Sequence, residues 1–186
     1  MNKKVSTYFH NRVVWIVGAS SGIGREIALN VASVKGVSLI LSARRVSNLD
    51  TIAAECIKQG AKCIVFPLDL AQTDTLEAKA LEAITLFGKI DILINNGGIS
   101  QRSYAYETPI AIDRKIMEID YFSNIILTKA VLPHMMQNSF GHIVPTSSIS
   151  GCFGFPLRSA YCAAKHALYG FYESLDIEMR SKNIAV

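Results

Sequence analysis

The sequence predicts an α/β fold, a doubly wound parallel sheet with helices on both faces. Three observations lead there. Short apolar runs alternate with longer segments of helical periodicity along all 186 residues, the pattern of a parallel sheet covered on both sides. A glycine-rich turn stands directly between the first apolar run and the first helical segment. The chemistry-bearing residues fall after strands, at the carboxyl ends where such sheets collect their ligands.

The first strand is predicted over 13–17, within Arg12-Val13-Val14-Trp15-Ile16-Val17. Gly18-Ala19-Ser20-Ser21-Gly22-Ile23-Gly24 follows at once, and Ile23, Ile27, Val31 and Val34 recur at helical spacing, which predicts a helix over 22–34. Strand, glycine turn and helix N-terminus together make an anion site. Glycines admit a pyrophosphate close to the backbone, and the unpaired N–H groups of the first helical turn face it. Gly18, Ser20, Ser21, Gly22, Ile23 and Gly24 are therefore candidates for holding a dinucleotide.

The second strand, 37–42, runs into Ala43-Arg44-Arg45, with Arg44 twenty residues beyond Gly24. Nucleotide-binding units that grip a ribose 2′-hydroxyl usually carry an acid there. Two guanidiniums suit a 2′-phosphate instead, through charge-assisted and often bidentate hydrogen bonds. NADPH is thus expected over NADH, with Arg44 the foremost contact and Arg45 beside it.

A helix over 47–59 follows, its apolar face formed by Leu49, Ile52, Ala53, Cys56 and Ile57. Further strands are predicted at 62–66, 91–95 and 141–147, and helices at 72–87, 110–138 and 159–181. Loops are short, no repeat occurs, and no Pro- or Ser-rich linker divides the chain. One Rossmann-like dinucleotide-binding domain over 1–186 is the expectation. Asn183-Ile184-Ala185-Val186 reads as the opening of a sixth strand flanking the fifth. The domain is expected to be C-terminally incomplete, truncated at the start of strand six, with strand five an exposed edge.

Composition excludes several classes. The chain is 50% hydrophobic and 18% charged with a net charge of +4, enough for a substantial core. No basic run interleaved with aromatics argues for nucleic acid. No stretch approaches the roughly eighteen apolar residues of a membrane span, and Met1 to His10 lacks a secretory apolar core. Cys56, Cys63, Cys152 and Cys162 match no zinc spacing, and His10, His134, His142 and His166 form no ligand set, so no metal is expected. Cys56 is read as core, and Cys162 as buried and inert rather than reactive.

Tyr161-Cys162-Ala163-Ala164-Lys165 places a phenol and an ammonium one helical turn apart, and Ser148 lies thirteen residues before the tyrosine. A phenol ordinarily ionises near pKa ~10, a neighbouring ammonium favours the phenolate, and a serine hydroxyl can hold a carbonyl oxygen. Such a set suits proton transfer to a carbonyl.

With Asp69 after the third strand, Asn95-Asn96-Gly97-Gly98 after the fourth, Ser148, and the Tyr161 and Lys165 pair, the chain resembles the short-chain dehydrogenase/reductase family over nearly its whole length. Ser42 to Arg45, Asn95 to Ser103, Val131 to Met135 and Tyr161 to Leu168 look closer still to its member-7 branch. The resemblance implies that Tyr161 is the acid or base at the carbonyl as hydride is transferred from C4 of the nicotinamide. It implies that Lys165 holds the nicotinamide ribose and lowers the tyrosine's pKa, and that Ser148 orients the carbonyl. Asp69 would accept from the adenine amine, Asn95 would support cofactor and sheet, and Gly97 would stand where many relatives have alanine.

Asp120 stands where the family commonly has an asparagine whose backbone carbonyl holds a water of a proton relay. An Asp–Lys pair at about 6 Å and an effective dielectric near ~20 is worth roughly 3 kcal/mol, or about two pK units. Lys165 is therefore expected to be held more firmly protonated, with slowed chemistry as the result.

Two functions follow. The first is an NADPH-dependent oxidoreductase acting by hydride transfer on a small hydrophobic or steroid- or retinoid-like carbonyl or alcohol, with Ile99, Phe153, Phe155 and Leu157 favouring an apolar substrate. The alternative is an impaired or truncated relative that binds nucleotide or a partner subunit without turnover. A homodimer or homotetramer through helices 110–138 and 159–181 is expected from the family. A cytoplasmic location is expected from the residues present, with endoplasmic reticulum association the alternative implied by member-7 relatives, which carry an N-terminal segment.

Overall fold

The computed structural model describes residues 7–186; of the segment Met1 to His10, the first six residues lie outside it. Six parallel strands form one sheet: β1 (Val13–Val17), β2 (Ser38–Ser42), β3 (Lys62–Val65), β4 (Ile92–Asn95), β5 (Gly141–Pro145) and β6 (Ile184–Ala185), in the order β3-β2-β1-β4-β5-β6. The chain builds outward from β1 to β3, then returns to the other side of β1 with β4. That reversal opens a crevice between the ends of β1 and β4, where ligands of doubly wound sheets bind.

The helices are α1 (Gly22–Val31), α2 (Val46–Lys58), α3 (Thr73–Phe87), α4 (Ile110–Met117), α5 (Ser123–Gln137) and α6 (Ser159–Met179). All five residues of β1 and of β2 are buried, as a strand covered on both faces requires, which is why β1 and the centre of β2, Leu39 to Leu41, are continuously apolar. Successive side chains serve opposite cores. Val14, Ile16, Leu39 and Leu41 pack with Ala28 of α1 and with Leu49, Ile52 and Cys56 of α2. Trp15, Ile40 and Leu93 pack with Leu76 of α3, Leu127 of α5 and Leu168 of α6.

The first helix keeps Val31, and Ile27 packed beside it, on the core side as its spacing predicts. Ile23 is 61% exposed, and α1 also seats its buried Gly24 and Ala28 on the sheet. A Cβ on Gly24 would stand 2.3 Å from the carbonyl oxygen of Gly18, so the helix rests directly on the glycine turn. Gly24→Ala is therefore expected to destabilise the protein by about 1–3 kcal/mol or more, as overpacking against backbone does, read as a lower urea midpoint. An unchanged midpoint would mean that the turn yields freely. Ile57, placed on the core face of α2 by spacing, is likewise exposed, whereas Cys56 is wholly buried.

The single helix expected over 110–138 is interrupted. Between α4 and α5 the chain makes a wide π turn, Glu118–Phe122. One extra residue in that turn shifts the register and brings both Ile119 and Asp120 inward. On the other side of the sheet, strand six begins as expected, pairing Ile184 with Gly141 and Ala185 with His142; the first two residues of β5 are therefore covered, whereas the whole strand was expected to be an exposed edge. Among the described residues, no helix is long and apolar enough to cross a membrane, and no group of three or more metal-ligating side chains is gathered.

Candidate active site

The site grows from the glycine turn. Gly18 has φ +84°, and its N–H and that of Ala19 donate to the carbonyl oxygen of Ser42 at 2.7 and 3.1 Å. A Cβ on Gly18 would lie 2.5 Å from the Gly97 nitrogen. The turn after β1 and the loop after β4 are thus in backbone contact, and Gly18 needs the absence of a side chain. Asn96, absent from the sequence-based candidates, fastens the same contact: its Nδ2 donates to the Gly18 carbonyl at 3.1 Å.

At the start of α1, Ser21 offers no side-chain cap and the first turn contains no acidic residue. The first N–H groups of α1 therefore keep their capacity for an anion. A cavity of about 220 Å³ adjoins them, lined by Gly18, Ser20, Ser21, Arg44, Arg45, Asp69 and Gly97 among others. Arg44 and Arg45 are exposed, and among the described residues neither is in an ion pair. The Arg45 guanidinium reaches Ser21 Oγ at 3.5 Å, so it already spans from the end of β2 to the glycine turn. Asp69 Oδ1 accepts from the Ala71 N–H at 3.1 Å.

A larger cavity of about 920 Å³ continues past Ser21, Gly22 and Ile23 and holds Asp120, Ser147, Ser148, Tyr161 and Lys165. Ser148 caps a short 3-10 turn, its Oγ accepting from the Ser150 N–H at 3.1 Å. A hydroxyl that accepts in this way keeps its own proton to donate. Tyr161 and Lys165 lie on α6 as their spacing predicts, with the Lys165 Nζ 5.5 Å from the Tyr161 ring centroid. Ser147 Oγ is buried without a hydrogen-bond partner among the described residues, which is unusual for a native polar atom outside a binding site.

Lys165 is 5% exposed and Asp120 is wholly buried. The Lys165 Nζ donates to the Thr146 carbonyl oxygen at 3.1 Å and stands 3.5 Å from Asp120 Oδ2. Asp120 Oδ1 accepts from the Ile99 N–H at 2.7 Å, and a Cβ on Gly98 would come within 2.8 Å of Asp120 Oδ2. Burial raises the Asp120 carboxyl above the usual carboxylate range, against the Ile99 hydrogen bond and the Lys165 charge. Burial also lowers Lys165 below the usual lysine range, and the Asp120 carboxylate offsets only part of that. Asp120 does favour the protonated lysine, as expected, but burial is the larger effect and leaves Lys165 below its ordinary range.

Two further placements refine the candidates. Asn95 turns away from both cavities into the core, donating from Nδ2 to Thr128 Oγ1 at 3.1 Å and to the Tyr172 hydroxyl at 3.2 Å. It ties β4 to α5 and α6. Gln101, which no spacing singled out, is buried and bonds the start of α6: Oε1 accepts from the Tyr161 N–H at 3.3 Å, and Nε2 donates to Ser159 Oγ at 3.4 Å. A lone glutamine in a loop has no periodic signal by which to be found. Of the apolar residues expected near the substrate, Ile99, Phe155 and Leu157 line the cavity and Phe153 does not. Cys162 is buried.

The sequence model of the short chain dehydrogenase family matches residues 12–186. A human protein named dehydrogenase/reductase SDR family member 7 is 46% identical over 171 residues, 90% of this chain and 50% of that protein. A mouse protein named dehydrogenase/reductase SDR family member 7B is 44% identical over 183 residues, 96% of this chain and 56% of that protein. The chain spans about half the length of these curated relatives. Among solved structures, a short-chain dehydrogenase from Streptomyces avermitilis superposes with a TM-score of 0.86 at 34% identity, over 94% of this chain and 63% of the other. A metagenomic short-chain oxidoreductase in complex with NADP gives 0.90 at 27% identity, over 95% and 80%.

Proposed function

The chain belongs to the short-chain dehydrogenase/reductase family, and from that premise we propose that it is an NADPH-dependent oxidoreductase. It reduces the carbonyl of a small, largely apolar molecule, or oxidises the corresponding alcohol. One observation carries the proposal: Ser148, Tyr161 and Lys165 line one cavity together with the glycine turn and the first residues of α1. The donor set fits a dinucleotide. Open N–H groups at α1 suit the pyrophosphate, Arg44 and Arg45 suit a 2′-phosphate, and Asp69 suits the adenine amine.

When bound, the reduced nicotinamide supplies hydride to the carbonyl carbon. The residues do the rest. Tyr161 gives its hydroxyl proton to the carbonyl oxygen as negative charge develops there, and takes it back in the reverse direction. Ser148, already accepting from Ser150, donates its own proton to the same oxygen and fixes its position. Lys165 has three N–H groups; one donates to Thr146, the ammonium pairs with Asp120 at 3.5 Å, and a remaining N–H is assigned to the nicotinamide ribose. Exposed apolar residues on the helical segments, Ile112, Phe122, Met136, Tyr169 and Ile177, support pairing with a second copy through α4 to α6.

A second function, nucleotide binding without turnover, is favoured by one observation: Lys165 is already committed to Thr146 and Asp120. Thermal unfolding separates the first step from the second. NADPH at about one hundred times its dissociation constant adds roughly 2.7 kcal/mol, a rise of about 5–10 °C for a chain of this size. NADH is expected to add less, and Arg44→Gln with Arg45→Gln to remove the difference. Equal shifts in the unaltered protein overturn the phosphate assignment. Oxidation of NADPH by a panel of apolar ketones and aldehydes then supports the reductase; binding without turnover leaves the second function.

A further inference from the structure

We infer that the cavity takes a carbonyl substrate carrying an anionic group, a carboxylate or a phosphate, which Arg102 and Arg158 receive while an apolar body lies on Ile99, Phe155 and Leu157. This rests on the reductase proposal and names the substrate class for that same site.

Arg102 and Arg158 line the cavity that holds Tyr161 and Ser148. Among the described residues neither is in an ion pair. The only carboxylate in that lining is Asp120, and it is occupied by Lys165 at 3.5 Å and by the Ile99 N–H. The remaining polar residues of the lining are neutral serines, one threonine and one asparagine. Both arginines, Arg102 exposed and Arg158 half-buried, therefore line the substrate space without a counter-charge.

Arg158 is held in place. It is half-buried, and its Nη1 donates to the Ser100 hydroxyl across the cavity. Leu157 before it sits at φ +65°, a region unfavourable for a branched side chain, and its carbonyl accepts from the Ser103 N–H at 3.3 Å. Backbone held in this way is common where a loop clamps a ligand. Arg158 thus enters the cavity from the loop before α6, and Arg102 from the loop after β4.

A wholly apolar substrate closing over these groups would strip water from unpaired cations, which is unfavourable. A carboxylate or phosphate instead gives them charge-assisted, bidentate hydrogen bonds. Cofactor phosphates have partners of their own: Arg44 and Arg45 in the neighbouring cavity suit the 2′-phosphate, and the N–H groups at Gly22 and Ile23, which line the same cavity as Arg102 and Arg158, suit the pyrophosphate.

The test compares para-formylbenzoate with its methyl ester, the same aldehyde with and without the charge. Binding is measured by calorimetry on the protein loaded with NADP⁺, and turnover by NADPH oxidation. The charged aldehyde is expected to bind about tenfold more tightly and to be reduced with about tenfold higher kcat/KM. That advantage should shrink at about 1 M salt, where the Debye length is about 3 Å. Arg102→Gln with Arg158→Gln is expected to bring the ratio of the two aldehydes close to one. Equal handling of the two by the unaltered protein, with turnover present, overturns the anionic substrate and leaves the reductase standing. Absence of turnover with either aldehyde, while NADPH binds, overturns the reductase and the substrate class with it. A loss of NADP⁺ affinity in the paired variant, with the aldehyde ratio retained, assigns the arginines to the cofactor and overturns the inference.

Discussion

Tyr161→Phe is expected to lower kcat for carbonyl reduction by about 10²–10⁴-fold, the usual contribution of a positioned proton donor. The substitution removes one oxygen and keeps the ring that Lys165 approaches at 5.5 Å, so the NADPH-dependent rise in melting temperature should persist. No other group in the cavity can take over the role. Asp120 is sealed and paired, and Lys165 is bound to Thr146 and Asp120. Ser148 keeps a proton, but an ordinary hydroxyl is a poor acid. Steady-state NADPH oxidation, alongside the melting-temperature shift, checks the expectation. A variant within about tenfold of the unaltered protein would require another proton source and remove Tyr161 from its assigned role.

Much of the fold was legible because each buried strand is a continuous apolar run and each glycine turn leaves a mark in the sequence. β1 and β2 fall within a residue of their predicted limits. Helix faces were less legible where small residues do the packing. Ile23 looked like core by spacing, but the sheet contact is made by Gly24 and Ala28, whose small size gives no hydrophobic signal. The π turn at Asp120 was invisible because one extra residue in a helix disturbs no composition. In the site, Ser148, Tyr161 and Lys165 were found because their chemistry depends on spacing along the chain. Asn96 and Gln101 were missed because their partners, Gly18 and the first turn of α6, are brought to them only by the fold. That burial outweighs Asp120 at Lys165 was illegible for a similar reason: a charge pair can be read from residue types, but its depth of burial cannot.

That burial makes the Asp120–Lys165 pair the second large expectation. Lys165→Met leaves a wholly buried carboxylate without its cation and is expected to cost about 3–5 kcal/mol, the usual penalty for breaking a buried pair. Asp120→Asn should cost less, since Lys165 lines the cavity and can reach water, and since an asparagine still accepts from the Ile99 N–H. The paired variant, with both groups neutral, should regain most of the loss. The two single variants should also differ in their response to pH on the alkaline side. Asp120 has a raised folded-state pKa, and removing Lys165 raises it further. Its stabilisation is present below the ordinary carboxylate value of about 3.9 and lost as pH rises through the folded value. The deficit of Lys165→Met should therefore shrink on acidification. Lys165 has a lowered folded-state pKa, and removing Asp120 lowers it further. Its stabilisation is present above the ordinary lysine value of about 10.4 and lost as pH falls through the folded value, so the deficit of Asp120→Asn should grow as pH falls from about 10.4 towards neutrality and shrink again once Asp120 is protonated in the unaltered protein. Urea unfolding of the unaltered protein and the three variants across that range reads both slopes. Deficits that do not change with pH in either single variant, or a paired variant no more stable than either, would show that Asp120 and Lys165 do not hold one another's charge.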